Sequence, residues 1–229
     1  IMAQLYGAKE YSKIGYKLGE VLWISISLGL LFLIIYPNLY ILVNMLQLES
    51  EVARIAGDYL KALSIGMFAM TIFTCLRCYS EGLTLTLPIF YIALAGMLIN
   101  IPLDIIFVYG YFGVPAMGGV GCGYATSIVS VFMTLTLIIY IARSKNYVIT
   151  KPFEKLPFPS MSTFTEVFKL GFPIGLGIFI ELAMFSGAAM ILSPLGTEIV
   201  AGHAIAMNIA SFFFVISLSV GLAAATRVG

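Results

Sequence analysis

The sequence predicts an all-α, polytopic membrane helix bundle: six full transmembrane helices plus a helical stub. Three observations predict it. First, the 229 residues are 61% hydrophobic and 10% charged, too apolar for a soluble domain, so the apolar runs must face lipid or one another. Second, six of those runs reach the ~20 residues a helix needs to cross a bilayer. They are far longer than the ~10-residue alternating strands of a membrane barrel. In lipid only a helix or a closed barrel satisfies its own backbone. Third, if the spans alternate in direction, the basic residues separate by side. One side holds Lys9, Lys13, Lys17, Arg77, Arg143, Lys145, Lys151, Lys155, Lys169 and Arg227, and the other holds Arg54 and Lys61. One helix too many or too few would scramble that division, and the basic side is expected to be cytoplasmic.

In chain order, Ile1 to Gly7 reads as a stub, the tail of a helix. The full spans follow at Leu18–Tyr36, Ala56–Tyr79, Leu85–Tyr109, Gly119–Ala142, Glu166–Leu192 and Glu198–Gly221. Gln47 to Glu51 reads as a short outer loop. Arg54 and Asp58, and again Arg77 and Glu81, are spaced to pair on a helix surface near the membrane interfaces. The longest polar break, 143–165, carries Lys145, Lys151, Lys155, Pro152, Pro157 and Pro159, and reads as a cytoplasmic linker between two bundles. The first residue is not Met and the last stretch stops inside an apolar run, so a fragment of a longer membrane protein, cut at both ends, is expected.

Several function classes fall away. The net charge of +1 offers no basic stripe for nucleic acid. Three cysteines and one histidine make neither a disulfide framework nor an obvious zinc site. Gly118-Gly119-Val120-Gly121-Cys122-Gly123 is no phosphate loop, because it follows a loop rather than a strand and no Lys-Ser/Thr pair follows it. Glycines there permit close helix packing. Cys75 and Cys78 have redox-motif spacing but lie on a membrane helix, where packing is the better reading. His203 reads as a hydrogen-bonded structural residue. Met67, Met70, Met184, Met190 and Met207 would give a cavity adaptable walls.

Glu181 is the most informative residue. It is the only charge between Lys169 and Glu198. Lys169 and Ser193 each lie about 18 Å of helix away, which puts Glu181 near the midplane of a core roughly 30 Å thick. An acid there costs roughly 2.5 to 3.5 kcal/mol on insertion scales, and its default reading is functional. Asn100 and Asp104 are one helical turn apart and share a face. Pro102 between them removes a backbone donor and frees a carbonyl. An amide, a carboxylate and a loose carbonyl supply oxygen ligands for a small hard cation, or a proton relay; the sequence leaves both open.

These residues sit in stretches that resemble the multidrug and toxic compound extrusion (MATE) transporters, most of all their bacterial NorM-like branch. The matching stretches are Ala3-Gln4-Leu5-Tyr6-Gly7-Ala8, Glu81-Gly82-Leu83 with Pro88, and Asn100-Ile101-Pro102-Leu103-Asp104. The run from Gly113 to Thr126 is the most specific. Leu170-Gly171-Phe172-Pro173, Val200-Ala201-Gly202-His203 and Ala224-Ala225-Thr226-Arg227-Val228-Gly229 also match. The resemblance implies part of a twelve-helix, two-lobe transporter, from the end of helix 2 to the end of helix 8. On that reading 1–142 is the remainder of the N-terminal lobe, 143–165 the inter-lobe linker, and 166–229 the first two helices of the C-terminal lobe.

The resemblance also implies export of cationic, aromatic drugs or dyes in exchange for Na⁺ or H⁺, with no other cofactor. The implied setting is a monomer in the bacterial inner membrane, with the lipid bilayer as its surroundings. It places the family's helix 7 carboxylate on Glu181 and its N-lobe amide and acid on Asn100 and Asp104, with Thr126 nearest to the helix 6 threonine. Coupling would work by neutralising these carboxylates, which biases rocking of the lobes. Two rivals remain. A lipid-linked precursor flippase of the same superfamily would want a basic cavity, yet no arginine or lysine sits at mid-depth. An intramembrane enzyme would need two facing aspartates, or His203 as a base; of the two aspartates, Asp58 stands at the very end of its span, which leaves Asp104. The expectation is a transporter and not an enzyme.

Overall fold

The computed structural model describes residues 2–41, 50–154, 156–192 and 196–228. Sequence readings at Ile1, Gln47, Lys155, Ser193 and Gly229 fall outside them. The described chain is helical throughout, with no strand. Its elements are α1 (Met2–Gly7), α2 (Tyr11–Asn38), α3 (Ser50–Gly82), α4 (Leu87–Tyr109), α5 (Gly119–Arg143), a 3-10 helix (Lys145–Thr150), α6 (Met161–Leu192) and α7 (Thr197–Val228). Each of the six longer α-helices holds a stretch long and apolar enough to cross a membrane.

Local sequence explains the helix ends. Pro88 stands in the first turn of α4, where a missing N–H costs nothing. Gly110 ends α4 in the left-handed region, at φ 80° and ψ 46°, with its N–H on the Ile106 carbonyl, a conformation glycine adopts without strain. α4 runs unbroken through Pro102. The expected break is therefore only the lost donor opposite the Leu98 carbonyl, and not a gap in the helix.

The chain divides into two compact units, Ile1–Pro159 and Ser160–Gly229. In the first, α3 packs against both α2 and α5, and α5 also packs against α4. The hydrophobic core gathers at one end, where Ile14, Leu18 and Leu22 of α2 meet Phe73, Leu76 and Tyr79 of α3, together with Leu137 and Ile141 of α5. Toward the other end α3 and α5 meet through small residues, which let membrane helices approach closely. Ser127 Oγ donates to the Ala62 carbonyl at 2.6 Å and accepts the Gly66 N–H at 3.1 Å. One hydroxyl of α5 thus bridges a carbonyl and an N–H four residues apart on α3. Further along α5, Thr134 Oγ1 donates to the Ala69 carbonyl at 2.9 Å.

The polar stretch after α5 is built into this unit. Tyr147 and Thr150 of the 3-10 helix are buried. The Tyr147 hydroxyl donates to Ser80 Oγ at 3.0 Å, and Tyr79 and Thr150 share a hydroxyl hydrogen bond of 2.5 Å. Trp23 Nε1 donates to the Leu156 carbonyl at 3.3 Å, and its ring stacks on Phe158. Of the two ion pairs expected from spacing, Arg77–Glu81 forms at 2.7 Å. The other is corrected: Asp58 meets Lys61 at 3.5 Å rather than Arg54, since i,i+3 is as close as i,i+4 on a helix.

In the second unit α6 and α7 touch each other. Most of their described side chains are exposed, and most of those are apolar.

Candidate functional site

The first candidate site lies on α4. Ile89, Ile92 and Gly96 form its buried stripe, and half-buried Asn100, Leu103 and Phe107 continue it at spacings of three and four residues. That stripe faces α5. A Cβ on Gly96 would meet Met133, and one on Gly121 would meet the Phe107 carbonyl at 2.7 Å. The sequence places Asp104 one turn beyond Asn100, on the flank of this row. Asp104 is half-buried as a residue, but its Oδ1 is shut off from solvent and has no hydrogen-bond partner among the described residues. A buried acceptor left unpaired costs about 1–3 kcal/mol, and more when charged. The arrangement therefore has room for one more partner at Oδ1, a hydrogen-bond donor or a small cation, with the Asn100 amide one turn away.

Thr126 stands on α5 and is exposed. No hydrogen bond among the described residues joins its side chain to Asn100 or Asp104. The adjacent Ser127 is buried and committed to α3, so α5 spends its inward hydroxyls on packing.

Glu181 lies in the second unit, on α6. From Phe168 to Ser186 every residue but Glu181 is exposed. Glu181, Ala188 and Leu192 are half-buried at helical spacing, as are Val200, His203 and Met207 on α7. Glu181 is thus less exposed than its neighbours on α6 from Phe168 to Ser186. On α7, His203 Nε2 is shut off from solvent without a hydrogen-bond partner among the described residues. The structural role expected for His203 supplies no partner for that nitrogen.

Sequence reasoning passed over Glu20. It is 2% exposed on α2, and it is engaged by another group. The signal was available: Glu20 is an acid two residues inside an apolar span, but its position near the end of that span hid it among interfacial charges. Outside the spans, burial pushes the Tyr147 phenol above its ordinary value, partly offset by its bond to Ser80.

Comparison with known proteins gives, among others, four matches. The family model described as MatE matches residues 1–106 and 173–229. The chain is 35% identical over 229 residues to "Multidrug resistance protein NorM" of Vibrio cholerae serotype O1, covering 100% of this chain and 50% of that protein. It is 39% identical over 231 residues to "Probable multidrug resistance protein NorM" of Pasteurella multocida, covering 100% and 49%. A solved structure of the MATE transporter NorM-NG, in a complex that includes a monobody, matches with a TM-score of 0.74 and 28% identity, over 99% of this chain and 50% of that one. The chain thus spans about half the length of the curated relatives it matches.

Proposed function

Because the chain belongs to the MatE family, we propose that the intact protein is a multidrug efflux antiporter, exporting cationic aromatic compounds in exchange for Na⁺ or H⁺. It is a multi-pass membrane protein with six spans in this chain. The observation that carries the coupling reading is Asp104 Oδ1, buried and without a donor among the described residues. A carboxylate oxygen held from water in this way favours whatever brings positive charge to it. Asn100 and Thr126 are the further oxygen donors for that ion, and Glu181 is the acid of the second unit.

The ion is cargo, and its role follows from linkage. When Na⁺ or H⁺ occupies a carboxylate, the negative charge that holds a cationic drug is neutralised. The drug then leaves in the state that favours ion binding. The ion shifts the inward–outward balance only by its differential affinity for the two states. The basic end of the first unit, with Lys9, Arg143 and Lys145, faces the cytoplasm on this reading, which puts 143–165 inside the cell and the protein in a bacterial inner membrane.

The test is export of a fluorescent organic cation by the intact protein in sealed vesicles, under an imposed Na⁺ gradient or an imposed pH gradient. Asp104→Asn keeps the shape and removes the charge. It is expected to lower gradient-driven export at least tenfold, while Asn38→Asp, at the far end of α2, leaves it intact. Export by Asp104→Asn at the unmodified rate would remove Asp104 from the coupling machinery.

A further inference from the structure

The end of the first unit where α2 begins and α3 and α5 finish carries a cavity of about 380 Å³, within the ~300–1,000 Å³ range of small-molecule pockets. Its lining includes Tyr6, Tyr11, Thr84, Lys145 and Asn146, and none of the residues lining it is acidic. The chemistry is that of an anion site: one ammonium, one amide, two phenols and two hydroxyls, those of Thr84 and Thr150.

Three of the basic residues at this end are ion-paired, whereas Lys9 and Arg143, like Lys145, are in no ion pair among the described residues. Lys13 meets Glu10 at 2.9 Å, Arg77 meets Glu81 at 2.7 Å, and Lys151 meets Glu154 at 2.7 Å. Lys145 has no ion-pair partner among the described residues. The 3-10 helix that carries it also exposes Val148 and Ile149, at 64% and 66%. Ile149 itself lines the cavity. An ammonium and exposed aliphatic side chains on one short helix match the boundary between lipid headgroups and acyl chains. A free anion in water would make no use of those aliphatic groups.

We propose that this cavity seats the phosphate of an anionic phospholipid headgroup, with Lys145 as its countercharge and Asn146, Tyr6 and Tyr11 as hydrogen-bond donors. Basic pockets between membrane helices on the cytoplasmic side suit such headgroups. The proposal rests on the basic end facing the cytoplasmic leaflet. Its test reads bound lipid and not export, so the two readings fail separately.

The intact protein is examined by native mass spectrometry after incubation with phosphatidylglycerol, with phosphatidylcholine, or with inorganic phosphate. Phosphatidylglycerol is expected to be retained in preference to phosphatidylcholine. Lys145→Gln is expected to weaken that retention about fivefold, the effect of one lysine at an anionic surface. Asn146→Leu, which leaves the charge in place, is expected to weaken it in the same direction. Lys151→Gln removes a lysine already paired to Glu154 and is expected to change nothing. Equal retention by Lys145→Gln and the unmodified protein would overturn the proposal. So would an equal loss in Lys151→Gln, no preference between the two lipids, or inorganic phosphate binding in place of the lipid.

Discussion

At Gly66 a single added methyl group would force two packed helices apart. A Cβ there would lie 2.7 Å from Ser127 Cα and 2.7 Å from Ser127 Oγ. The first of these atoms is backbone of α5, so rotation of the serine cannot relieve it, and α3 and α5 must move apart. Overpacking of this kind costs about 1–3 kcal/mol. Separation also stretches the two bonds through Ser127 Oγ, each worth ~0.6 kcal/mol on average between membrane helices. Gly66→Ala is therefore expected to cost ~2–4 kcal/mol. Ser127→Ala removes the same two bonds without a clash, and is expected to cost ~1 kcal/mol. The assay is reversible unfolding of the intact protein by titration with denaturing detergent in mixed micelles. A Gly66→Ala protein as stable as the unmodified one, or a Ser127→Ala loss as large as that of Gly66→Ala, would refute the packing argument. The seam matters for function because α5 carries α4, and with it Asn100 and Asp104, on its other side.

Two further outcomes follow from the basic end of the same unit. The Tyr147 phenol is raised in the folded chain, whereas the unfolded chain ionises near the ordinary 10.0. The folded state therefore holds its proton longer, and its stability is undiminished below about pH 10 and falls as pH rises above it. Thermal unfolding across that range is expected to show the fall in the unmodified protein and a shallower one in Tyr147→Phe. Arg77→Ala, which breaks an i,i+4 pair whose side chains are 42% and 30% exposed, is expected to lower stability by no more than ~0.5 kcal/mol, measured by the same unfolding titration.

Much of the fold was legible in the sequence because lipid imposes a simple rule on helix length. The expected span Gly119–Ala142 and the observed α5, Gly119–Arg143, differ by one residue. α2 begins at Tyr11 and not Leu18, because hydropathy marks immersion in lipid and not the end of hydrogen bonding. Ile14, buried in the core at 0% exposure, lies in that overlooked turn between Lys13 and Lys17. The polar break after α5 reads from sequence as a cytoplasmic linker between two bundles, and its buried 3-10 helix is not visible there. Its burial depends on Tyr79 and Ser80, partners 71 and 67 residues away, and no local window contains them.

Of the candidate site, the sequence carried only spacing and isolation. Helical periodicity alone put Asn100 and Asp104 on one face. Periodicity does not report that Asp104 Oδ1 lacks a partner among the described residues, or that Thr126 is exposed while Ser127 turns inward, because those facts depend on which neighbouring helix claims which face of α5. For Glu181, isolation in an apolar run pointed to the residue, and its lower exposure than its neighbours on α6 came only with the structure. Glu20 shows the converse: an acid near the end of a span looks interfacial until its helix is packed.

The most direct measurement compares Glu181→Gln with the unmodified intact protein, reading export of a fluorescent cation from vesicles under an imposed Na⁺ or pH gradient at matched expression. Glu181→Gln is expected to insert and fold normally and to lose gradient-driven export. Export at the unmodified rate, under both gradients, would contradict the claim that acids held within the membrane spans couple the ion to the drug.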